Sequence, residues 1–482
     1  MIGRQDILDL AREFQLPPNT VEKDYALGWL LAGISRHPEL RESWIFKGGT
    51  CLKKCYFETY RFSEDLDFTL REPAHLNEAF LQRVIGEVCA WIYETSGLEL
   101  PEAARRFEVF ENPRGSLSAQ ARVGYRGPLA RTGEPPRIKF DLAHDELLVL
   151  EPAWRPVHHP YPDDPEDGIE VLCYAFEEVF AEKLRALTER LRPRDLYDVI
   201  HLHRRTDLLP DLPTLRDTLR RKCEFKRVDV PTFAALEVRP ERIEIQAEWE
   251  NMLAHQLPAC PPFEQFWSAL PAVFDWLTEP AAAPVALPQI TAGEDVAEDF
   301  EPLPTMVSAW NYVAPLEAIR FAGSNRLLVD LGYGGRTRLI EPYSLRRTRA
   351  GDVVLYAVKQ ADGEVRSYRV DRIESATVTR QPFEPRFDVN LGWIAPAGSG
   401  SMTGVPFGRS PFSQNTRQPK RQSPPRTTPV RWPNPAAPKY VYKCAVCGKS
   451  FTRSKMDAKL NAHKAPNGFN CYGTLGMYQG RR

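Results

Sequence analysis

The sequence predicts an α+β chain of several folded units, on three observations. A short apolar run, Trp44-Ile45-Phe46, leads through a glycine turn to Asp65-Leu66-Asp67-Phe68-Thr69-Leu70, whose strict alternation reads as a strand. Amphipathic helical patterns then dominate up to residue 280. Beyond residue 306 they give way to alternating Leu, Val and Tyr runs with glycine turns, and the chain closes on clustered Cys and His. At 482 residues, about two to four domains can each bury a core.

Residues 1–280 are expected to hold a mixed sheet with helices, followed by a helical part. Up to about Arg41 the pattern is helical, with Ile7, Leu8, Leu10 and Phe14 before Pro17-Pro18, then Val21, Tyr25, Leu27, Trp29 and Leu30. The charges of Val21-Glu22-Lys23-Asp24-Tyr25 read as a solvated helix face. In the turn Lys47-Gly48-Gly49-Thr50 the glycines admit positive φ and close approach of the backbone to a ligand. Thr50 is the expected N-cap of a short helix to Tyr56, and free amides at such a start suit a phosphate. In the strand that follows, Asp65, Asp67 and Thr69 share one face, with Leu66, Phe68 and Leu70 on the core side. Two carboxylates so placed beside a phosphate-binding turn suit divalent metal on a nucleotide. The plainer alternative is a β-turn and a solvated strand edge.

Helical periodicity returns over residues 76–95, and residues 106–110 and 121–125 read as strands. Arg137-Ile138-Lys139-Phe140-Asp141-Leu142 alternates cleanly, and Asp141 is the third carboxylate that a two-metal site needs to activate an attacking hydroxyl, unless it is an exposed strand residue. Residues 171–192 read as one amphipathic helix with Lys183 on its apolar side, where a lysine either snorkels or meets an anion in a cleft. Asp195 and Asp198, three apart, share a helical face, and their alternative role is capping or pairing with Arg190 and Arg194. Residues 210–278 continue as helices around Trp249, Leu253, Phe263, Phe266, Trp267 and Trp276.

Charge is divided unevenly. From Pro396 onward there are 15 Lys or Arg against the single acid Asp457, whereas 48 basic and 63 acidic residues precede it. A body near −15 therefore carries a tail of +14, and the tail is the part expected to attract RNA or DNA. No apolar run reaches the roughly 18 residues of a membrane helix. The N-terminus has no secretory pattern. The nine cysteines form no disulfide framework. The expectation is a cytoplasmic protein with no membrane contact.

Lys47-Gly48-Gly49-Thr50-Cys51-Leu52 followed by Arg61-Phe62-Ser63-Glu64-Asp65-Leu66-Asp67 resembles the K-G-G-T-x-L and R-x-S-x-D-x-D segments of the AbiEii/AbiGii nucleotidyltransferase toxins, which belong to the polymerase-β-like superfamily. Val21 to Tyr25, Ala181-Glu182-Lys183-Leu184, and Arg190 with Arg194-Asp195-Leu196-Tyr197-Asp198 are similar to further segments of that family. The resemblance covers about 280 residues. It implies an enzyme moving a nucleoside monophosphate from an NTP to an acceptor hydroxyl of RNA, such as tRNA, as the toxin of a toxin–antitoxin or phage-defence system with a separate antitoxin. It implies catalytic Asp65, Asp67, Asp141, Lys183 and Asp198, with two Mg²⁺ on the first three. It further implies nucleotide contacts from Lys47, Gly48, Gly49, Thr50, Arg61, Ser63 and Asp195. Two rival readings are an inactive transferase fold serving as a nucleic-acid-binding, ligand-sensing regulator, and an enzyme that nucleotidylates a protein or small molecule.

After a linker at 281–306, residues 307–387 are expected to form a small all-β domain with strands at 327–331, 337–340, 353–358 and 366–370. Ile340 to Leu345 and Gly363 to Ile373 resemble a WYL domain, although Val353-Val354-Leu355 stands near its naming tripeptide. The resemblance implies a ligand pocket of Tyr333, Arg346, Arg366, Arg369 and Arg372; the alternative is surface arginines in salt bridges. Residues 388–439 read as a basic, proline-rich tether. In the module at 440–482, Cys444 and Cys447 form a C-x2-C knuckle, with His463 and Cys471 downstream. Three thiolates and an imidazole suit a closed structural zinc site, without which so short a segment has little to fold around.

Overall fold

The computed structural model describes residues 1–57, 60–111, 115–205, 208–278, 287–290, 300–301, 316–348 and 352–391, and in the tail 440–444, 446, 449–453, 463–464, 470–471 and 476–481. Most of the expected linker and tether, and Cys447, lie outside the described residues. The chain divides into two compact units, Met1–Ser401 and Met402–Arg482.

The first unit opens with helices α1 (Arg4–Phe14) and α2 (Pro18–Arg36). Strands β1 (Trp44–Lys47), β2 (Asp65–Leu70), β3 (Arg105–Glu111), β4 (Leu117–Gly124), β5 (Arg137–Ala143), β6 (Ala153–Pro156) and β7 (Glu170–Cys173) form one sheet in the order β3-β4-β5-β2-β1-β7-β6. It is mixed: β2 runs antiparallel to β1 and parallel to β5, and β7 lies parallel to β1. Between β1 and β2 the chain forms α3 (Gly48–Cys51) and a widened π turn over Leu52–Tyr56; α4 (Glu78–Ser96) follows β2. An aromatic line underlies the centre of the sheet, with Phe46 5.3 Å from Phe68 and Phe68 6.5 Å from Phe140. These rings bury one face of β1, β2 and β5, which leaves the alternate residues on the other face for chemistry.

The helical part comprises α5 (Phe176–Arg190), α6 (Pro193–Arg204), α7 (Leu212–Lys226), α8 (Phe233–Glu237), α9 (Arg242–Leu253), α10 (Phe263–Trp267) and α11 (Leu270–Thr278). Two expectations need correction. Residues 171–173 are not the start of a helix but strand β7, inserted beside β1. A strand covered on both faces shows no alternation, so its apolar run merges into the pattern of α5. The charges of α2 are not a solvated face either. Glu22 and Asp24 are buried, Glu22 accepting from the Leu129 amide at 2.7 Å and Asp24 pairing with the buried Lys54 at 2.6 Å.

Beyond β8 (Phe300–Glu301), helix α12 (Leu316–Asn325) precedes β9 (Leu327–Tyr333), β10 (Arg336–Thr348), β11 (Val353–Lys359), β12 (Val365–Arg369) and β13 (Ile373–Pro382). The sheet order is β12-β11-β10-β9-β13, with β8 also on β10. The sequence pattern marks strands only, so α12 and β13 are additions. Gln15, in the left-handed C-cap position of α1 at φ 54°, ties this domain to the first: its side chain donates to Ala376 O at 2.6 Å and accepts from Val378 N at 3.2 Å. Among the described residues no helix is long and apolar enough to cross a membrane.

In the second unit, β14 (Tyr440–Cys444), β15 (Ser450–Arg453) and β18 (Gly476–Arg481) form a three-stranded sheet. The short strands β16 (His463–Lys464) and β17 (Asn470–Cys471) pair separately.

Candidate active site

Register brings the predicted carboxylates together. Asp67 on β2 lies opposite Lys47 on β1 and opposite Asp141 on β5, while Asp65 pairs in register with Lys139. Asp65, Asp67 and Asp141 are part-exposed, whereas Leu66, Phe68, Phe140 and Leu142 between them are buried. The three acids therefore share the polar face of adjacent strands. Burial pushes the Asp67 carboxyl up to about 6; Lys47 opposes this, and the neighbouring charges of Asp141 and Asp65 add to it. Burial likewise raises Asp65. Three oxygen donors that repel one another on one surface fit a hard divalent cation. Their oxygens do not all lie within 4.8 Å of one another. Asp141 is instead turned to Lys139, at 2.8 Å, with both side chains about a third exposed. A pair that open exchanges partners at small cost.

The glycine turn abuts these acids. Gly48 has φ +81°, and a Cβ there would collide with the Asp67 carboxylate. A Cβ on Gly49 would stand 2.6 Å from Arg61 Nη2 and 3.3 Å from Ser63 Oγ. Only glycine lets the start of α3 approach β2 this closely. Lys47, rather than Thr50, is the N-cap of α3. The Thr50 hydroxyl donates to Asp65 O and so clips the turn to the strand.

The predicted cations are held by acids of the chain itself. Lys183 Nζ lies 2.8 Å from Asp198 Oδ2 and 3.8 Å from Asp195 Oδ1. Arg61 grips Asp198 with two bonds, at 2.7 and 2.8 Å, and donates to Gln256 Oε1 at 3.0 Å; the Tyr60 hydroxyl also donates to Asp198. Burial alone would raise Asp198, but Arg61 and Lys183 outweigh it and hold the carboxyl well below its usual range. Asp195 is gripped by Arg190, at 2.7 and 2.8 Å. Lys47 lies buried within 3.6 Å of both Glu146 and Glu182. Glu182 also faces Lys222.

Arg194 differs from Arg190. It has no ion-pair or hydrogen-bond partner among the described residues, and its Nε is buried without one. Burial lowers its guanidinium, Arg61 adds to that, and Glu64 and Asp65 oppose it. Sequence reasoning paired Arg194 with an acid. The fold leaves it as a cation beside the carboxylate face. Lys23, expected on a solvated helix face, lies 3.0 Å from Glu64, and its field reaches Asp65.

The residues of the second predicted pocket do not all gather. Arg346, Val354 and Arg369 are register partners across β10, β11 and β12 and so share a face, whereas Arg366 lies opposite Ala357, on the other face. Arg346 lies over the Tyr356 ring at 4.8 Å, and Arg369 pairs with Asp352 at 2.8 Å and Asp371 at 2.9 Å. Arg366 pairs with Glu364, Tyr333 packs edge-on against Tyr368, and Arg372 is exposed. In the tail, Cys444 and Cys471 bring their sulfurs to 3.8 Å, and His463 is the register partner of Cys471. Two sulfurs on one tetrahedral zinc, each about 2.3 Å from the metal, stand about 3.8 Å apart.

Residues 29–277 match the family model described as nucleotidyl transferase AbiEii toxin, type IV toxin–antitoxin system, and residues 316–378 match the WYL domain. No curated protein matches the chain. Among solved structures, it is similar to MenT4, a nucleotidyltransferase toxin from Mycobacterium tuberculosis H37Rv, at 21% identity and a TM-score of 0.39, over 58% of this chain and 91% of that one. The family match spans more than half of the 482 residues, and the chain belongs to the AbiEii nucleotidyltransferase toxin family.

Proposed function

We propose that the chain transfers a nucleoside monophosphate from an NTP to a hydroxyl of an RNA acceptor. The observation that carries this reading is the register of Asp67 against Asp141, with Gly48 packed under the Asp67 carboxylate. Asp65, Asp67 and Asp141 would hold magnesium, which when bound offsets the triphosphate's charge and that of the departing pyrophosphate. The amides that open α3 at Gly48, Gly49 and Thr50, together with the Ser63 hydroxyl 3.3 Å from the Gly49 Cβ position, face the phosphates. Arg194 supplies a cation to the same group. Asp141, once released from Lys139, accepts the proton of the attacking hydroxyl. Lys183, Arg61, Asp195 and Asp198 act together: the buried acids hold the cations in place behind the carboxylate face, and Lys183 lowers the Asp67 carboxyl through its field. Lys47 does the same from the opposite strand.

The tail delivers RNA. Its charge of +14 against about −15 for the body supports this, and the sulfur spacing of Cys444 and Cys471 supports a zinc ion held with Cys447 and His463. A WYL ligand gathered by Arg346 and Arg369, and a protein antitoxin, complete the reading. The test is transfer of label from each NTP to total RNA or total protein by the wild type, Asp67→Asn and Asp141→Asn. Label in RNA with the wild type alone is expected; equal labelling by all three proteins, or label in protein only, would overturn the proposal.

A further inference from the structure

Three cysteines converge directly behind the glycine turn. The Sγ atoms of Cys51, Cys55 and Cys173 all lie within 4.8 Å of one another, and the three residues are 0%, 6% and 0% exposed. Cys51 ends α3, Cys55 lies in the π turn that extends it, and Cys173 ends β7 beside Phe46 of β1. We propose that these three thiols bind a thiophilic d10 metal ion, Zn²⁺ or Cu⁺, that fastens the phosphate-facing turn to the sheet.

Sulfurs on a common metal at about 2.3 Å stand about 3.8–4.0 Å apart, within the spread found here. Cysteines often pack as small apolar groups, but three of them drawn from two elements onto one point form a ready ligand set. Soft thiolates select zinc and monovalent copper over magnesium, so this site does not compete with the carboxylate face. Charge is accommodated as well. Arg155, 4.9 Å from the Tyr56 ring, lies close enough for its field to favour the thiolates of Cys55 and Cys173. Three thiolates with Zn²⁺ and Arg155 sum to zero, and with Cu⁺ to −1. Hydrogen bonds from Cys51 and Cys55 already draw the Cys173 thiol well below its usual range, while burial pushes Cys51 and Cys55 up. Metal binding releases the protons that the thiols carry. Metal loss frees the end of α3 from β7, and the Gly48–Thr50 backbone loses a support.

The proposal is independent of the transfer reaction and is tested by metal content. A full-length Cys444→Ser/Cys447→Ser/Cys471→Ser variant removes the tail thiols. Purified under reducing conditions, or reconstituted with Zn²⁺ or Cu⁺ in separate arms, it is expected to carry one metal per chain by elemental analysis. The arm that retains metal after dialysis identifies the ion. Titration of the same variant with Cd²⁺ should give a thiolate-to-metal absorption band that saturates at one equivalent. Adding Cys173→Ala should remove both the metal and the band, with circular dichroism showing the variant folded. If that variant misfolds, the parent's titration decides alone. Absence of bound metal and of the band in the parent overturns the proposal. So does a two-proton mass loss without metal, which would mark a disulfide instead.

Discussion

Replacing Lys183 by Met is expected to destabilise the transferase unit. Met continues the apolar side of α5, so packing is conserved, but Asp198 loses a partner at 2.8 Å in a pair whose side chains are 10% and 0% exposed. Removing one member of a buried ion pair costs about 3–5 kcal/mol, because a charge is left uncompensated. Arg61 still holds Asp198 with two bonds, which places the loss at the lower end, about 3 kcal/mol. That is a large share of a typical stability of about 5–15 kcal/mol. The double variant Lys183→Met/Asp198→Asn should be weaker still, because it leaves the buried Arg61 guanidinium without its carboxylate. Because Asp198 is held below its usual range, its contribution is present above the ordinary carboxylate value near 4 and is lost as pH falls through its folded value. The Lys183→Met penalty should therefore shrink in acid. Urea unfolding followed by the fluorescence of the buried Trp29 and Trp44 reads each variant. A single-variant change below about 1 kcal/mol, or a double variant more stable than the single, would refute this account of the Lys183–Asp198–Arg61 cluster.

Gly48→Ala should leave the chain folded, at about 1–2 kcal/mol for the left-handed backbone, yet cut transfer at least 100-fold by displacing Asp67; near-normal kcat/KM would contradict the packing at that turn. With the metal-free Asp67 carboxyl pushed up to about 6, protons compete with Mg²⁺ there, so the Mg²⁺ concentration needed for half-maximal transfer should rise as pH drops through 6; a Mg²⁺ requirement unchanged across that range would contradict Asp67 as a ligand. Stability runs the other way: the raised carboxyl favours folding below about 4 and loses that benefit as pH rises through 6, so Asp67→Asn should raise the urea midpoint at pH 8 and leave it unchanged at pH 4. Truncation after Ala395 should weaken RNA binding steeply at low salt, flatten its salt dependence and leave NTP affinity intact. Unchanged RNA binding by the truncated protein across a salt titration would assign the tail to another partner.

Where the sequence alternates with period two, it reveals both the strand and its polar face. Asp65, Asp67 and Asp141 were legible for that reason, and so were the two glycines. What the sequence could not show is why Gly48 must be glycine, since that follows from the Lys47–Asp67 register and the carboxylate above the turn. Strand β7 was hidden because a doubly covered strand looks like the first turn of the helix it precedes. Buried charges were the main blind spot. Arg61 and Asp198 are 137 residues apart, so nothing local announces their pairing, and the charges of Val21 to Tyr25 looked like a wet surface while Glu22 and Asp24 lie inside. The same holds for Arg194, which sits beside Asp195 in the chain yet leaves that acid to Arg190. The thiol cluster escaped notice because Cys173 lies more than a hundred residues from Cys51 and Cys55.

The central claim is that the Asp67–Asp141 face moves a nucleoside monophosphate and releases pyrophosphate. It is tested most directly by offering the full-length protein, with Mg²⁺ and RNA, the same NTP labelled either at its α- or at its γ-phosphate. The account predicts that α-label becomes covalently attached to RNA, that γ-label leaves as pyrophosphate, and that Asp67→Asn abolishes both. Covalent γ-label in any acceptor, or α-label that persists in RNA with Asp67→Asn, would contradict it.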